Sequence, residues 1–213
     1  METISGPALG GPYDSYPQAL LAACQKVLRK PNATVGPHRH VDFIKRWMLS
    51  TEYCAWIYYT PEAKYELSKL SNHSTLPYSE KRRSCFLPKH VDDQRYPPGT
   101  LKYISAFHNH PYGNALSDGD IRTIVAAGFE HGFAAETKDG TLNLAVVAFF
   151  SNNYTRPTCD GFYMYAPARG RVVRWDNTSG GWRCRQIEIV TWHDESNFTR
   201  EKSEGPCSQE EIP

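Results

Sequence analysis

The stretch HNHPYGNALSDGD, residues 108–120, places two histidines, a serine and two aspartates within a short span. A β-rich run ends at His108, and strand side chains alternate with period two, so His108 and His110 are expected on one face. Ser117 precedes Asp120 by three residues and an apolar helical stripe follows, which predicts a capped helix start. Catalytic zinc typically takes three His, Asp or Glu ligands and leaves a fourth position to water. The sequence therefore predicts a zinc site formed by His108, His110 and Asp120.

The surrounding residues predict an α+β domain in which helices flank one mixed β-sheet. The helical spacing of apolar residues indicates helices at residues 16–30 and 41–49. The apolar and aromatic run at residues 52–59 is typical of a central strand that is buried on both faces. Further strands are expected at residues 64–70, 101–107, 133–137, 142–150, 161–165, 170–175 and 182–192.

Proline, glycine and polar residues divide the chain into one domain and three polar segments. Residues 1–14 are expected to be a flexible lead-in, and residues 194–213 a frayed polar tail. Residues 71–99 contain four prolines and the basic run Lys81-Arg82-Arg83, so we expect a loop inserted beside the site. The domain itself then covers residues 15–193.

Composition excludes several classes of partner. The chain has 213 residues and a formal net charge of +1, with lysine and arginine scattered along it. A nucleic-acid partner is therefore not expected, because no basic face is evident. No apolar run approaches the roughly 20 residues that cross a bilayer, and the first residues lack the profile of a signal peptide. We expect a protein without a membrane span, whose oligomeric state the sequence leaves open.

Six cysteines and five Asn-x-Ser/Thr sequons bear on the compartment of the protein. The absence of a C-x-x-C pair argues against a structural zinc knuckle and leaves disulfides open. We expect Cys54 to be a buried core thiol, and Cys159 with Cys184 is one candidate pair. Sequons matter only on a secretory route, so the two features favour a secreted or extracytoplasmic protein over a cytoplasmic one by a small margin. The sequon asparagines are Asn32, Asn72, Asn153, Asn177 and Asn197.

A hydrolytic site also needs a general base, and Glu52 is the best candidate. It opens the buried strand, and a carboxylate near a cation can take a proton from water and deliver it to a leaving amine. The alternatives are Glu62 and Glu66, but we expect both to face solvent. Ser117 is a candidate hydrogen-bond donor to the developing oxyanion, with a purely structural N-cap as its alternative role.

Two other polar groups near the site have a simpler interpretation. The run His38-x-His40 with Asp42 looks like a metal site, but no strand leads into it, so we expect a polar loop. Asp118 is expected to be a surface carboxylate, because Asp120 has the right offset from Ser117.

The site residues and their spacing resemble the signature of the JAMM zinc metallopeptidases, also called the MPN-plus or JAB family. This family includes deubiquitinating isopeptidases and their bacterial relatives. Its pattern is a glutamate, then His-x-His, usually seven residues, then Ser-x-x-Asp. The residues that match are Glu52 and Cys54 on the upstream strand, His108, His110, Pro111 and Gly113, and Ser117 and Asp120, whereas Ala55 departs from the pattern because the family often has glycine there.

The resemblance covers residues 40–150 and implies a JAB/MPN-like fold, with a layered architecture related to that of cytidine deaminases. It implies one catalytic zinc on His108, His110 and Asp120, with Glu52 as the base that activates water and Ser117 stabilising the transition state. The implied substrate is a protein or peptide, with ubiquitin-like conjugates among the options. The spacer is six residues, one shorter than usual, which is similar to divergent bacterial JAB-like domains associated with polymorphic toxins.

Two other functional classes compete with a zinc hydrolase. The first is a catalytically silent MPN-type binding module, which the presence of all five expected site residues disfavours. The second is a nucleobase deaminase, whose P-C-x-x-C signature is missing. The sequence does not identify the substrate, and residues 71–99 are expected to determine it.

Overall fold

The computed structural model describes residues 2–73 and 84–208, and this part of the chain contains three helices and twelve strands. The helices are α1 (Tyr16–Leu28), α2 (Phe43–Leu49) and α3 (Asp118–His131). The strands are β1 (Thr3–Gly6), β2 (Cys54–Tyr59), β3 (Tyr65–Leu67), β4 (His90–Asp93), β5 (Lys102–Asn109), β6 (Ala134–Thr137), β7 (Gly140–Asn143), β8 (Ala145–Phe150), β9 (Gly161–Ala166), β10 (Arg171–Thr178), β11 (Gly181–Trp192) and β12 (Phe198–Pro206).

One eight-stranded sheet forms the centre of the molecule, in the order β12-β11-β10-β9-β8-β5-β2-β3. Strands β5 and β8 are parallel, and the other neighbours in the sheet are antiparallel. The parallel pair needs a crossover, and α3 lies in the connection between its two strands. A single domain with helices beside one large mixed sheet was predicted, and the structure confirms it at this level.

Both faces of the sheet are covered around β2, which explains why this strand is buried along its whole length. Side chains alternate across a strand. Ala55 and Ile57 pack with α1 on one face, whereas Trp56 and Tyr58 belong to the core beneath α3 on the other. Cys54 has the same parity as Trp56 and pairs with His108, so the end of β5 presents its histidine on the α3 face.

The prediction of a flexible lead-in at residues 1–14 was wrong, because β1 lies within it and Tyr13 pairs with Tyr65 of β3. Strand β1 pairs in parallel with β4, which lies inside the expected inserted loop. This two-stranded ribbon covers the α3 face of the sheet, where the buried Ile4 and Val91 pack with Tyr58. Neither β1 nor β4 has the apolar pattern that would predict a strand from its own sequence. Each forms a strand because it pairs with the other and packs on the sheet. The basic run Lys81-Arg82-Arg83 lies outside the described residues.

The expected frayed tail also differs from the structure, because β12 pairs with β11 and forms the edge of the sheet. Its side chains are polar because an edge strand is half solvated, and charges on such a strand also discourage pairing with other chains. Residues 209–213 lie outside the described part.

All six cysteines form disulfides: Cys24–Cys159, Cys54–Cys85 and Cys184–Cys207. The expectation of a free core thiol at Cys54 and the candidate pair Cys159 with Cys184 were therefore wrong. The true partners are far apart in sequence, and only the folded sheet brings them together. Disulfides persist in oxidising compartments, so the three bridges favour an extracytoplasmic setting. Among the described helices, none has the length and apolar character to cross a membrane.

Candidate metal centre

The two histidines of the central stretch lie side by side at the end of β5. His110 follows the last strand residue, but its backbone N–H still bonds the carbonyl of Phe149 on β8, at 2.8 Å. The pleat therefore continues, and both imidazoles lie on one face with less than a tenth of each residue exposed. The Nδ1 atom of His110 donates to the carbonyl of Asn114, at 2.7 Å. This bond leaves Nε2 as the nitrogen with a free lone pair, as in metal-binding histidines whose other nitrogen donates to a carbonyl.

Asp120 lies in the first turn of α3 and is held there by a capping box. Its Oδ2 atom accepts hydrogen bonds from the backbone N–H of Ser117, at 2.7 Å, and from the Ser117 hydroxyl, at 2.8 Å. The Ser117 hydroxyl in turn accepts from the Asp120 N–H, at 3.2 Å. Ser117 thus orients the carboxylate, and its role toward a transition state stays a prediction.

The three predicted ligands converge on one point. The two Nε2 atoms of His108 and His110 are 2.9 Å apart, and they lie 3.4 Å and 3.6 Å from the Asp120 carboxylate oxygens. Tetrahedral zinc, with bonds of about 2.0–2.1 Å, spaces its ligand atoms by about 3.3 Å. The observed spacing therefore fits a zinc ion with little rearrangement, and the set of two imidazoles and one carboxylate is chemically suited to it.

The electrostatics of the three residues also suit a cation. Burial, together with the neighbouring His110, lowers the pKa of His108 to about 4, so its imidazole is neutral at pH 7. Burial alone would raise the pKa of Asp120, but the two histidines and the Ser117 N–H outweigh it and hold this pKa well below its usual range. For His110, burial lowers the pKa, yet the Asp120 carboxylate and the charge of Glu52 raise it overall. The Asp120 carboxylate therefore favours a proton on His110 over one on His108.

Zinc binding is expected to release that proton and to weaken as the pH falls. Because the pKa of His110 is raised above its usual 6.5, the metal must displace a proton throughout the range below it. The apparent affinity should fall about tenfold for each pH unit in that range. Metal titrations at several pH values, in buffers with different ionisation enthalpies, measure both the affinity and the protons released. An affinity that stays constant from about pH 5 to pH 7 would contradict this picture.

Glu52, the predicted base, lies just ahead of β2 rather than within it. Cys54 pairs with His108 in antiparallel register, and continuing that register two residues places Glu52 opposite His110. Directly opposed residues share a face of the sheet, and the carboxylate acts electrostatically on His110. Glu52 is partly buried. The structure therefore brings together the predicted base and the predicted ligands.

Asn109, between the two histidines, was missed by the sequence interpretation. It is fully buried on the opposite face and makes three side-chain hydrogen bonds. Its Nδ2 atom donates to the carbonyls of Ala33, at 2.7 Å, and Thr51, at 3.0 Å, and its Oδ1 atom accepts from the Tyr53 N–H, at 2.7 Å. Thr51 and Tyr53 are the two neighbours of Glu52, so Asn109 fixes the backbone around the predicted base relative to the predicted ligands.

Replacing Asn109 with alanine is expected to destabilise the protein by about 2–4 kcal/mol, because it leaves buried backbone groups without partners. It should leave zinc affinity largely unchanged, since the histidines and Asp120 keep their own supports. Urea unfolding and zinc titration give the two quantities. Asn114→Ala is the matched control, because Asn114 is exposed and serves the site through its backbone carbonyl. Equal stability of the two variants would exclude this role.

The remaining predicted groups lie away from the ligands. His38 packs against Phe43, and His40 meets the Tyr154 ring edge-on, so these two side chains form the expected loop contacts rather than a metal site. Asp118 forms an ion pair with Arg200, at 2.8 Å, at the surface.

The expectation that Glu66 faces solvent was wrong. It is buried on β3 and its carboxylate contacts the Arg95 guanidinium, at 3.0 Å. Burial raises its pKa despite that partner. The sequence gives no local sign of this burial, because β3 has only three residues and Arg95 is 29 residues away in the chain. Glu62, the other alternative, is exposed as predicted.

Comparisons of the chain with protein-family models, with curated proteins and with solved structures found no match. Functional assignment therefore depends on the geometry and chemistry of the site.

Proposed function

We propose that this protein is a zinc-dependent hydrolase of amide bonds, a metallopeptidase or isopeptidase of the JAMM type. The proposal rests on the convergence of the ligand atoms of His108, His110 and Asp120 on one point. Glu52 lies opposite His110 when the register of β2 with β5 is continued. The motif resemblance supports the same assignment and a JAB/MPN-like form of the fold. One zinc ion per chain is expected at this site.

Each residue of the site has a role in that reaction. When bound, zinc would polarise the scissile carbonyl and favour ionisation of water. Glu52 takes the proton from the attacking water and passes it to the leaving amine. Ser117 keeps the Asp120 carboxylate oriented, and Asn109 keeps Glu52 in register with the histidines. The disulfide at Cys54, opposite His108, ties the segment after residue 83 to the same edge of the site.

An exposed apolar surface beside the site supports a polypeptide substrate. Tyr112, two residues after His110, packs edge-on against Phe43 of α2, with ring centroids 5.3 Å apart. The outer side of this helix exposes several large apolar side chains, and contiguous patches of this kind mark sites of protein interaction. The substrate is accordingly a protein or peptide, with ubiquitin-like conjugates as one class. The surface consists of Val41, Ile44, Met48, Leu49 and Tyr112.

The setting we propose is extracytoplasmic. Besides the three disulfides, the asparagines of all five sequons are exposed, as a glycan acceptor must be. A secreted hydrolase, including an effector or toxin, fits both features.

The assignment is tested by incubating zinc-loaded protein with linked ubiquitin chains and with a mixed peptide library. Cleavage should disappear when the protein is treated with a chelator and return when zinc is restored. Protein that binds zinc at this site yet cleaves neither substrate would contradict a peptidase and favour the silent binding module.

A further inference from the structure

A second cluster of metal-ligand side chains lies at the far end of α3. His90 begins β4, and Glu130 and His131 occupy the last turn of the helix. One donor atom from each of the three residues lies within 4.8 Å of the others. His90 and Glu130 are already in contact, with Nε2 and Oε1 2.6 Å apart. This cluster was not apparent from the sequence, because His90 is distant from the other two.

The surroundings of His131 resemble those of a metal ligand. Its Nε2 atom hydrogen-bonds the carbonyl of Lys89, at 2.9 Å, which leaves Nδ1 with the free lone pair. The ring stacks on Tyr103, with centroids 3.8 Å apart, and meets the edge of Trp56. An imidazole with one nitrogen bound to a carbonyl and its ring fixed by packing is oriented to bind a cation through its other nitrogen.

Two charges act on this cluster in opposite directions. The carboxyl end of α3 carries the negative end of the helix dipole, which favours a cation there. Lys89 opposes it, because its ammonium contacts the second oxygen of Glu130, at 2.9 Å. The Lys89 side chain is 72% exposed, however, so it can move into solvent when a metal binds.

We propose that His90, Glu130 and His131 form a second zinc-class metal site, distinct from the His108 site. Two imidazoles and one carboxylate suit zinc, and the partial exposure of the cluster leaves room for water as a further ligand. The ion would join the start of β4 to the last turn of α3, whose first turn carries Asp120. Its expected effect is structural, because it fixes the β1–β4 ribbon against the helix.

The test uses Zn²⁺ alone and a full-length variant, His108→Ala/His110→Ala, that lacks the first site. Equilibrium dialysis and metal analysis should find one zinc per chain in this variant, with a higher Tm in zinc than in chelator. Adding His90→Gln or Glu130→Gln should weaken the remaining zinc by about 100-fold or more. These side chains are partly exposed, so the substitutions are compatible with folding, unlike the removal of the stacked His131.

Two matched variants sharpen the result. Lys89→Met should tighten zinc about two- to fivefold, because the ion pair that competes with the metal is lost. His193→Gln removes an exposed histidine elsewhere and should leave zinc content unchanged. A first-site variant that binds no zinc, or whose zinc survives Glu130→Gln and His90→Gln together, would overturn the proposal. Neither outcome bears on the hydrolase assignment, since both are measured without the first site.

Discussion

Replacing Glu52 with glutamine is expected to lower kcat by about 10²- to 10⁴-fold while the protein keeps its zinc, the range typical of a lost general acid or base. The amide has nearly the same shape as the carboxylate but cannot take a proton near neutral pH. The histidines and Asp120 do not depend on it for their geometry, because β5 and the capping box position them. Steady-state kinetics and metal analysis on the same preparation give the two quantities.

The matched control is Glu62→Gln, an exposed glutamate just beyond β2 that should leave kcat unchanged. An independent readout comes from the charge of Glu52, which contributes to the raised pKa of His110. Glu52→Gln should therefore lower the pKa of His110, and the loss of zinc on acidification should move to lower pH. Unchanged turnover in Glu52→Gln would show that Glu52 is not the base. An unchanged pH dependence of zinc loss would show that its carboxylate does not act on His110.

The convergence of His108, His110 and Asp120 was predictable because the three residues are close in sequence. A strand, a tight loop and a capped helix bring His108, His110 and Asp120 together through local geometry alone. Glu52 is distant, but it precedes a buried strand that pairs directly with β5. By contrast, nothing in its local pattern distinguishes Asn109, because its importance depends on backbone groups near residues 33 and 51–53 that only the fold brings close.

The elements that were not predicted from the sequence were missed for a common physical reason. Strands β1 and β4 are short and polar, and each is ordered by a partner about 85 residues away in the chain, whereas the charged strand β12 is ordered by the preceding strand β11. Cysteine pairing has the same dependence, since Cys24 on α1 meets Cys159 across the core. A periodic pattern of apolar residues indicates that a segment has one buried face. Short polar segments that are ordered mainly by pairing with each other carry no such pattern, so they could not be predicted from the sequence.

Removing the Cys24–Cys159 disulfide is expected to be the most destabilising change among the three bridges. The cysteines are 135 residues apart, whereas those of Cys184–Cys207 are 23 apart. Because a cross-link restricts the unfolded chain more when it closes a longer loop, the chain-entropy model gives about 5 kcal/mol for the first bridge and about 3.4 kcal/mol for the second. Measured against stabilities of about 5–15 kcal/mol for whole domains, the first loss is large enough to unfold much of the protein.

Urea unfolding of the double-alanine variants Cys24→Ala/Cys159→Ala and Cys184→Ala/Cys207→Ala compares the two bridges directly. The first pair also lies in the core between α1 and the sheet, so its replacement adds the loss of buried contacts to the loss of the cross-link. Both terms act in the same direction, and the first variant should be less stable than the second by at least about 1.5 kcal/mol. The second variant is the control for removing any bridge, because its cysteines join β11 to the end of β12 and are only partly buried. Equal stabilities, or the reverse order, would show that the edge of the sheet contributes more to the fold than the link between α1 and the core.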